Sequence, residues 1–314
     1  MRPGHLCLLP SLSTKISAVS GEPERRARRR RFGSDNRGRS SHIERRVFQR
    51  DGEGRSFVAV LLALAACGCE PDLVVGTWSC PAEPREKDDA GLPTSTVTGP
   101  IEAPWSTGFE QGLCDYNLAG GFCYSHSVAS YTLVDSPVHS GKQAMAFSID
   151  LDAPDDVHTR CVREGTLPED AVYGAWYYVP SIPESSDNWN LFHIQAGDVG
   201  GTLRTIWDVN LSVTDDGLLA LYLFGVYGFG AQPETQTHSI PIGAWFHIEF
   251  RLRRAADTTG AVGLYQDGVP LVEKSGIRTD DTSFQQWYVG NLARALTPPT
   301  STLYVDDITI RPAP

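Results

Sequence analysis

Trp245 to Val272 reads WFHIEFRLRRAADTTGAVGLYQDGVPLV. Phe246, Ile248, Phe250 and Leu252 fall at every second position, with Trp245, His247, Glu249, Arg251 and Arg253 between them. That alternation predicts a strand with one buried face. Asp257 to Gly260 breaks the pattern, Ala261 to Gln266 resumes it, and Asp267-Gly268 supplies residues that tolerate positive φ in a tight turn. The stretch is therefore two antiparallel strands and the start of a third. Strands of this kind keep one face wet and lay the other on a second sheet, which the rest of the chain must provide.

Turn signals recur at Ser136-Pro137, Ser140-Gly141, Pro183, Gly197 to Gly201, Asp215 to Gly217 and Asp267-Gly268. Between them, Tyr173 to Val179, Trp189 to Gln195, Thr205 to Val213, Leu218 to Phe224, Phe246 to Leu252, Ala261 to Tyr265, Gln286 to Asn291 and Leu303 to Ile310 read as strands. No long amphipathic helix interrupts them. Residues 105–312 are thus expected to form one all-β jelly-roll sandwich of two antiparallel sheets, being too many for an immunoglobulin-like domain.

The chain ahead of this domain differs in composition. Residues 1–66 carry fourteen Lys plus Arg and six Asp plus Glu, which leaves 13 and 32 of the chain's 27 and 38, a net charge of −19 thereafter. Phe57 to Ala66 is an unbroken run of small and apolar residues, flanked by Arg50 and Arg55 and followed by Cys67. The run is too short for a membrane span and fits the core of a signal peptide. Leu64-Ala65-Ala66-Cys67 resembles the lipobox of bacterial lipoproteins, which implies a lipid on Cys67 and a place in the bacterial envelope, at the periplasmic face or the cell surface. The expected organisation is a basic leader over 1–46, discarded or untranslated; a signal peptide over 47–66, with a non-AUG start near Val47; an anchor and tether over 67–104; and the sandwich. The basic run Arg25 to Arg31 lies in the leader, so no nucleic-acid partner is expected. Membrane contact is expected through the lipid alone, and the protein as a monomer.

Export places the remaining cysteines in an oxidising compartment. With Cys7 discarded and Cys67 lipidated, Cys69, Cys80, Cys114, Cys123 and Cys161 remain. Cys114 and Cys123 flank a turn at Leu118 to Gly121 and are the expected disulfide, with Cys69 and Cys80 as a second pair and Cys161 as a buried thiol. No spacing matches a zinc site.

Several motifs carry a family resemblance. In order they are Phe109-Glu110-x-Gly112, Ser136-Pro-Val-His-Ser-Gly-Lys142, Thr159-Arg160-x-x-Arg163-Glu164, Tyr173-x-x-Trp176-Tyr-Tyr-Val-Pro180, Trp189-x-Leu191-Phe-His193-Ile-Gln195 and Tyr304-Val-Asp-Asp-Ile308. The order resembles that of the polysaccharide lyases with a concanavalin A-like fold, the heparin lyase I and alginate lyase types. The sequence departs from them in three places. Arg160 and Glu164 are four apart rather than two, His193-Ile-Gln195 reverses the family's Gln-x-His, and no Lys-x-Gly-x-Tyr follows Tyr288. The Glu-x-Asp-x-Glu strand of the laminarinase type is absent, which argues against retaining glycosidase chemistry.

The resemblance implies β-elimination, which needs a group to neutralise a uronate carboxylate, a base and an acid. Arg160 or Gln195 would neutralise, and His193 and a tyrosine, Tyr288 or Tyr222, would exchange protons. Alternation adds binding candidates. With Trp207, Val209, Leu211 and Val213 in the core, Arg204, Asp208, Asn210 and Ser212 line the opposite face, while Trp189, Leu191, His193 and Gln195 share one face, as do Trp176 and Tyr178. Aromatic rings beside amides and charges suit a sugar's flat apolar faces and hydroxyl rim. The acidic charge favours a neutral glycan, or binding without cleavage, unless the cleft is locally basic. A non-catalytic structural or adhesion module of the envelope is the alternative. A structural Ca²⁺ is also implied by resemblance to the laminarinase type, whose first and last strands share such an ion; Glu110 and Asp306 stand at the corresponding places, and an acidic pair at a strand bulge is the competing reading.

Overall fold

The computed structural model describes residues 99–152, 157–198, 201–232 and 238–314. The leader, the signal peptide and Cys67 lie outside the described residues. In chain order the elements are β1 Trp105–Thr107, α1 Cys114–Leu118, β2 Phe122–His126, β3 Ser130–Val134, β4 Ala144–Asp150, β5 His158–Gly165, β6 Asp170–Tyr178, β7 Ser185–Asp187, β8 Trp189–Gly197, β9 Arg204–Val213, β10 Leu219–Gly225, β11 Gly230–Gln232, β12 Trp245–Arg253, β13 Gly260–Gln266, β14 Val269–Ile277, β15 Phe284–Leu292, β16 Ala295–Thr297 and β17 Thr300–Pro312.

The strands form a jelly-roll sandwich. One sheet has eight strands, in the order β14-β13-β12-β6-β17-β4-β3 with β1 beside β17, and the other has seven, in the order β11-β10-β9-β8-β15-β5-β2. All the pairings within them are antiparallel. The core lies between the sheets. On β12 the residues Phe246, Ile248, Phe250 and Leu252 are at most 1 % exposed, as the alternation requires, and they pack in one cluster with Tyr173, Phe192, Trp207 and Trp287.

Two sequence expectations change. Residues 99–101, placed in the tether, pair with the end of β5: Ile101 N donates to Thr166 O at 2.8 Å, Thr166 N to Gly99 O at 2.9 Å, and Ile101 is buried. The domain therefore starts before Trp105. The Cys114–Cys123 disulfide is replaced by Cys123–Cys161. The physical reason is register: β2 pairs with β5 so that Cys123 stands directly opposite Cys161, whereas Cys114 opens the helix α1 and is itself disulfide-bonded.

Candidate functional site

The face of the seven-stranded sheet turned away from the core carries a cleft of about 700 Å³. Antiparallel register sorts its side chains into rows that run across the strands. One row passes through Asp208 on β9, His193 on β8, Tyr288 on β15 and Val162 on β5. A second holds Thr205, Gln195, Gln286 and Glu164, and a third Asn210, Asn190, Leu292 and His158. Tyr124 and Arg160 are neighbours on β2 and β5.

His193 is 6 % exposed and uses both ring nitrogens. Nδ1 bonds Asp208 Oδ1, and Nε2 lies 3.2 Å from Thr205 Oγ1. A carboxylate can only accept, so Nδ1 carries the proton and Nε2 is left as the basic nitrogen. Burial pushes the imidazole below its ordinary value; the Asp208 charge pulls it back up, and Arg160 works with burial. At neutral pH the ring is therefore an uncharged base.

Tyr288 meets His193 edge to face, with ring centroids 5.4 Å apart. Its hydroxyl donates to Gln286 Oε1 and lies 3.4 Å from Gln195 Oε1. Burial holds the phenol well above its ordinary value; Tyr124 and Glu164 add to this and Arg160 opposes it. The phenol thus keeps its proton. The Arg160 guanidinium lies 5.2 Å from the centre of the Tyr288 ring. It can fold there because its cross-strand neighbour is Gly290, where a Cβ would stand 2.2 Å from Thr159 O and 2.8 Å from Arg160 Cα. A base, a protonated acid and a cation for a carboxylate occupy adjacent strands, which is the set that elimination needs.

His193, Gln195, Arg160, Tyr288, Asp208 and Asn210 all line this cleft, as does Tyr222. Four other candidates do not. Trp189 is a core residue, 2 % exposed, whose indole donates to Asn291 Oδ1 at 3.0 Å. A register shift between Asn190 and Phe192 turns both Leu191 and Phe192 inward and brings Asn190 to the cleft in place of Trp189. Arg204 lies beyond a second shift between Ile194 and Gln195, at the sheet's end, where it pairs with Asp281 at 3.1 Å and leaves its cleft position to Thr205. Trp176 and Tyr178 belong to β6 in the other sheet, on its outer face. There Trp176 is stacked between His139 and His247, and Tyr178 packs on Trp245 and Tyr304.

The sequence reading missed Asn190, Thr205, Glu164, Gln286 and Tyr124. For the first two a signal existed: Leu191-Phe192 and Ile206-Trp207 are consecutive apolar residues inside alternating strands, the mark of a bulge. Arg294 also lines the cleft. With Arg160 it sets two guanidinium groups in a lining whose one carboxylate is Asp208.

Glu110 and Asp306, the expected Ca²⁺ ligands, both accept backbone N–H groups from one turn. Glu110 Oε1 accepts the backbone N–H groups of Lys142 and Gln143 at 2.7 and 3.0 Å. Asp306 Oδ2 accepts those of His139 and Ser140 at 3.0 and 3.1 Å, and its Oδ1 accepts that of Asp307 at 2.8 Å. Among the described residues no three His, Cys, Asp or Glu side chains gather to hold a metal. Asp307, at φ 45° beside a register shift in β17, marks a bulge, and both carboxylates pin the 136–143 turn.

No family model and no curated protein matches this sequence. Among solved structures, the chain is similar to an endo-β-1,4-glucuronan lyase from the fungus Trichoderma reesei, at 17 % identity and a TM-score of 0.49, over 60 % of this chain and 90 % of that one. It is also similar to the cellulose-induced protein Cip1, at 16 % and 0.46 over 65 % and 95 %, and to an alginate lyase from Aplysia kurodai, at 12 % and 0.48 over 67 % and 98 %.

Proposed function

We propose that the domain binds an acidic polysaccharide in the cleft and cleaves it by β-elimination. The observation that carries this reading is the register row Asp208–His193–Tyr288 with Arg160 over the tyrosine ring. Arg160 and Gln195 hold the uronate carboxylate and stabilise the charge that develops on it. His193 Nε2 takes the proton from the carbon next to the carboxylate. The electron pair forms the C=C bond, the glycosidic C–O bond breaks, and Tyr288 gives its proton to the departing oxygen. Arg160 and Arg294 in the lining bear on the objection raised by the acidic chain, because the charges nearest the substrate and not the net charge meet it. We further propose that a lipid on Cys67 tethers the domain in the bacterial envelope.

A second reading, glycan binding without cleavage, is favoured by one fact: His193 Nε2 and the Tyr288 hydroxyl already have protein partners. The test is a panel of polyuronates and glycosaminoglycans, followed by the ultraviolet absorbance of the unsaturated uronate product. Product with the wild type and none with His193→Ala supports elimination. Retention on a glycan array with no product from any polymer supports binding alone.

A further inference from the structure

We infer that Glu164, acting through Gln286, is a positioning residue that fixes the hydroxyl of Tyr288 in the cleft. Glu164 and Gln286 are cross-strand partners on β5 and β15, 1 % and 6 % exposed. Gln286 Nε2 donates to Glu164 Oε2 at 2.9 Å, and Gln286 Oε1 accepts the Tyr288 hydroxyl.

The chemistry of the three groups makes this chain directional. A carboxylate only accepts, so it selects the NH₂ end of the amide. That choice turns the amide oxygen toward Tyr288, and the phenol must then donate. An amide without a carboxylate behind it can flip and offer N–H to the phenol oxygen, which stabilises phenolate instead. Glu164 therefore decides both where the Tyr288 proton points and how firmly it is held.

The titratable and charged groups facing Tyr288 are Tyr124 from β2, which hydrogen-bonds it with ring centroids 6.5 Å apart, Arg160 and Glu164 from β5, and His193 from β8. Arg160 draws the phenol toward ionisation. Glu164 opposes it, in the same direction as burial and Tyr124. A cation poised over the ring would favour loss of the proton that the leaving group needs, and the Glu164–Gln286 pair counters that pull.

The role in turnover rests on the proposed elimination, but the geometry does not, and the experiment separates the two. Ultraviolet titration of tyrosinate is carried out on the full chain as wild type, Glu164→Gln and Gln286→Met, each compared with the same protein carrying Tyr288→Phe, so that the difference isolates one phenol. We expect Tyr288 to ionise at lower pH in both variants than in the wild type, and the alkaline limb of any lyase activity to move in the same direction. Unchanged ionisation in a folded variant overturns the inference, and Gln286→Met decides if Glu164→Gln does not fold. Absence of product from every polymer, with the ionisation moved, defeats the elimination reading and leaves the positioning role standing. Product formation with ionisation unmoved does the reverse.

Discussion

Asp208 and His193 stand directly opposite each other on β9 and β8, and their side chains close on one another through Oδ1 and Nδ1. A cross-strand pair costs no loop to assemble, so the tautomer of the imidazole is set by sheet register alone.

Asp208→Asn keeps the register but lets the amide accept either tautomer. Turnover is expected to fall by about a hundredfold or more, within the range that a general base contributes. Because His193 is held below its ordinary value of about 6.5, the neutral ring persists to lower pH, and the acidic limb of kcat/KM is expected below that value. Asp208→Asn removes the attraction that raises it, so the limb moves further toward acid. The same sign governs stability: the folded state resists protonation of His193, and stability is lost as pH falls from about 6.5 through the folded value. A limb that moves toward alkali in Asp208→Asn contradicts the assignment.

Gly290→Ala is expected to destabilise the domain by about 3 kcal/mol. The new Cβ would collide with Thr159 O and Arg160 Cα, backbone atoms that cannot step aside. Arg160→Lys keeps the charge but loses the planar fork that grips a carboxylate. It should raise KM on a polyuronate several-fold with little change in melting temperature, as measured by steady-state kinetics beside a thermal melt.

A structural Ca²⁺ held by Glu110 and Asp306 would make calcium raise the melting temperature of the domain and EDTA lower that of metal-loaded protein. Asp306→Ala is expected to cost about 3 kcal/mol or more whether or not calcium is present, because it strands three backbone donors. A calcium-dependent rise that Asp306→Ala abolishes would establish the metal, and no response to calcium or EDTA would leave these carboxylates with the turn alone.

Cys67→Ser is expected to abolish palmitate labelling and release the protein from membranes. Retained membrane fractionation in the serine variant contradicts the anchor.

The alternation on β12 was legible because nothing interrupts it: four inward residues in a row, each confirmed by burial. The same counting put Trp189 and Arg204 in the cleft because a period of two assumes no inserted residue, and β8 and β9 meet at two shifts of register. Trp176 and Tyr178 failed differently. Alternation tells which residues share a face but not which sheet a strand joins, and β6 lies in the sheet across the core. His193, Arg160 and Tyr288 were legible as candidates, and the structure brings the three into one cleft. The service that Glu164 and Gln286 perform was not, since it depends on two strands far apart in the chain lying side by side.

The Cys123–Cys161 bridge joins the outermost strand of the cleft sheet to its neighbour across a separation of 38 residues. An edge strand has partners on one side only and is among the first elements to open on its own while the rest stays folded. Here the covalent link sits one residue from Tyr124 and one from Arg160, so it ties that opening to the wall of the cleft. A reductant should thus free the amides of residues 122–126 to exchange with solvent long before those of β12, leaving a folded protein with one side of its cleft ajar.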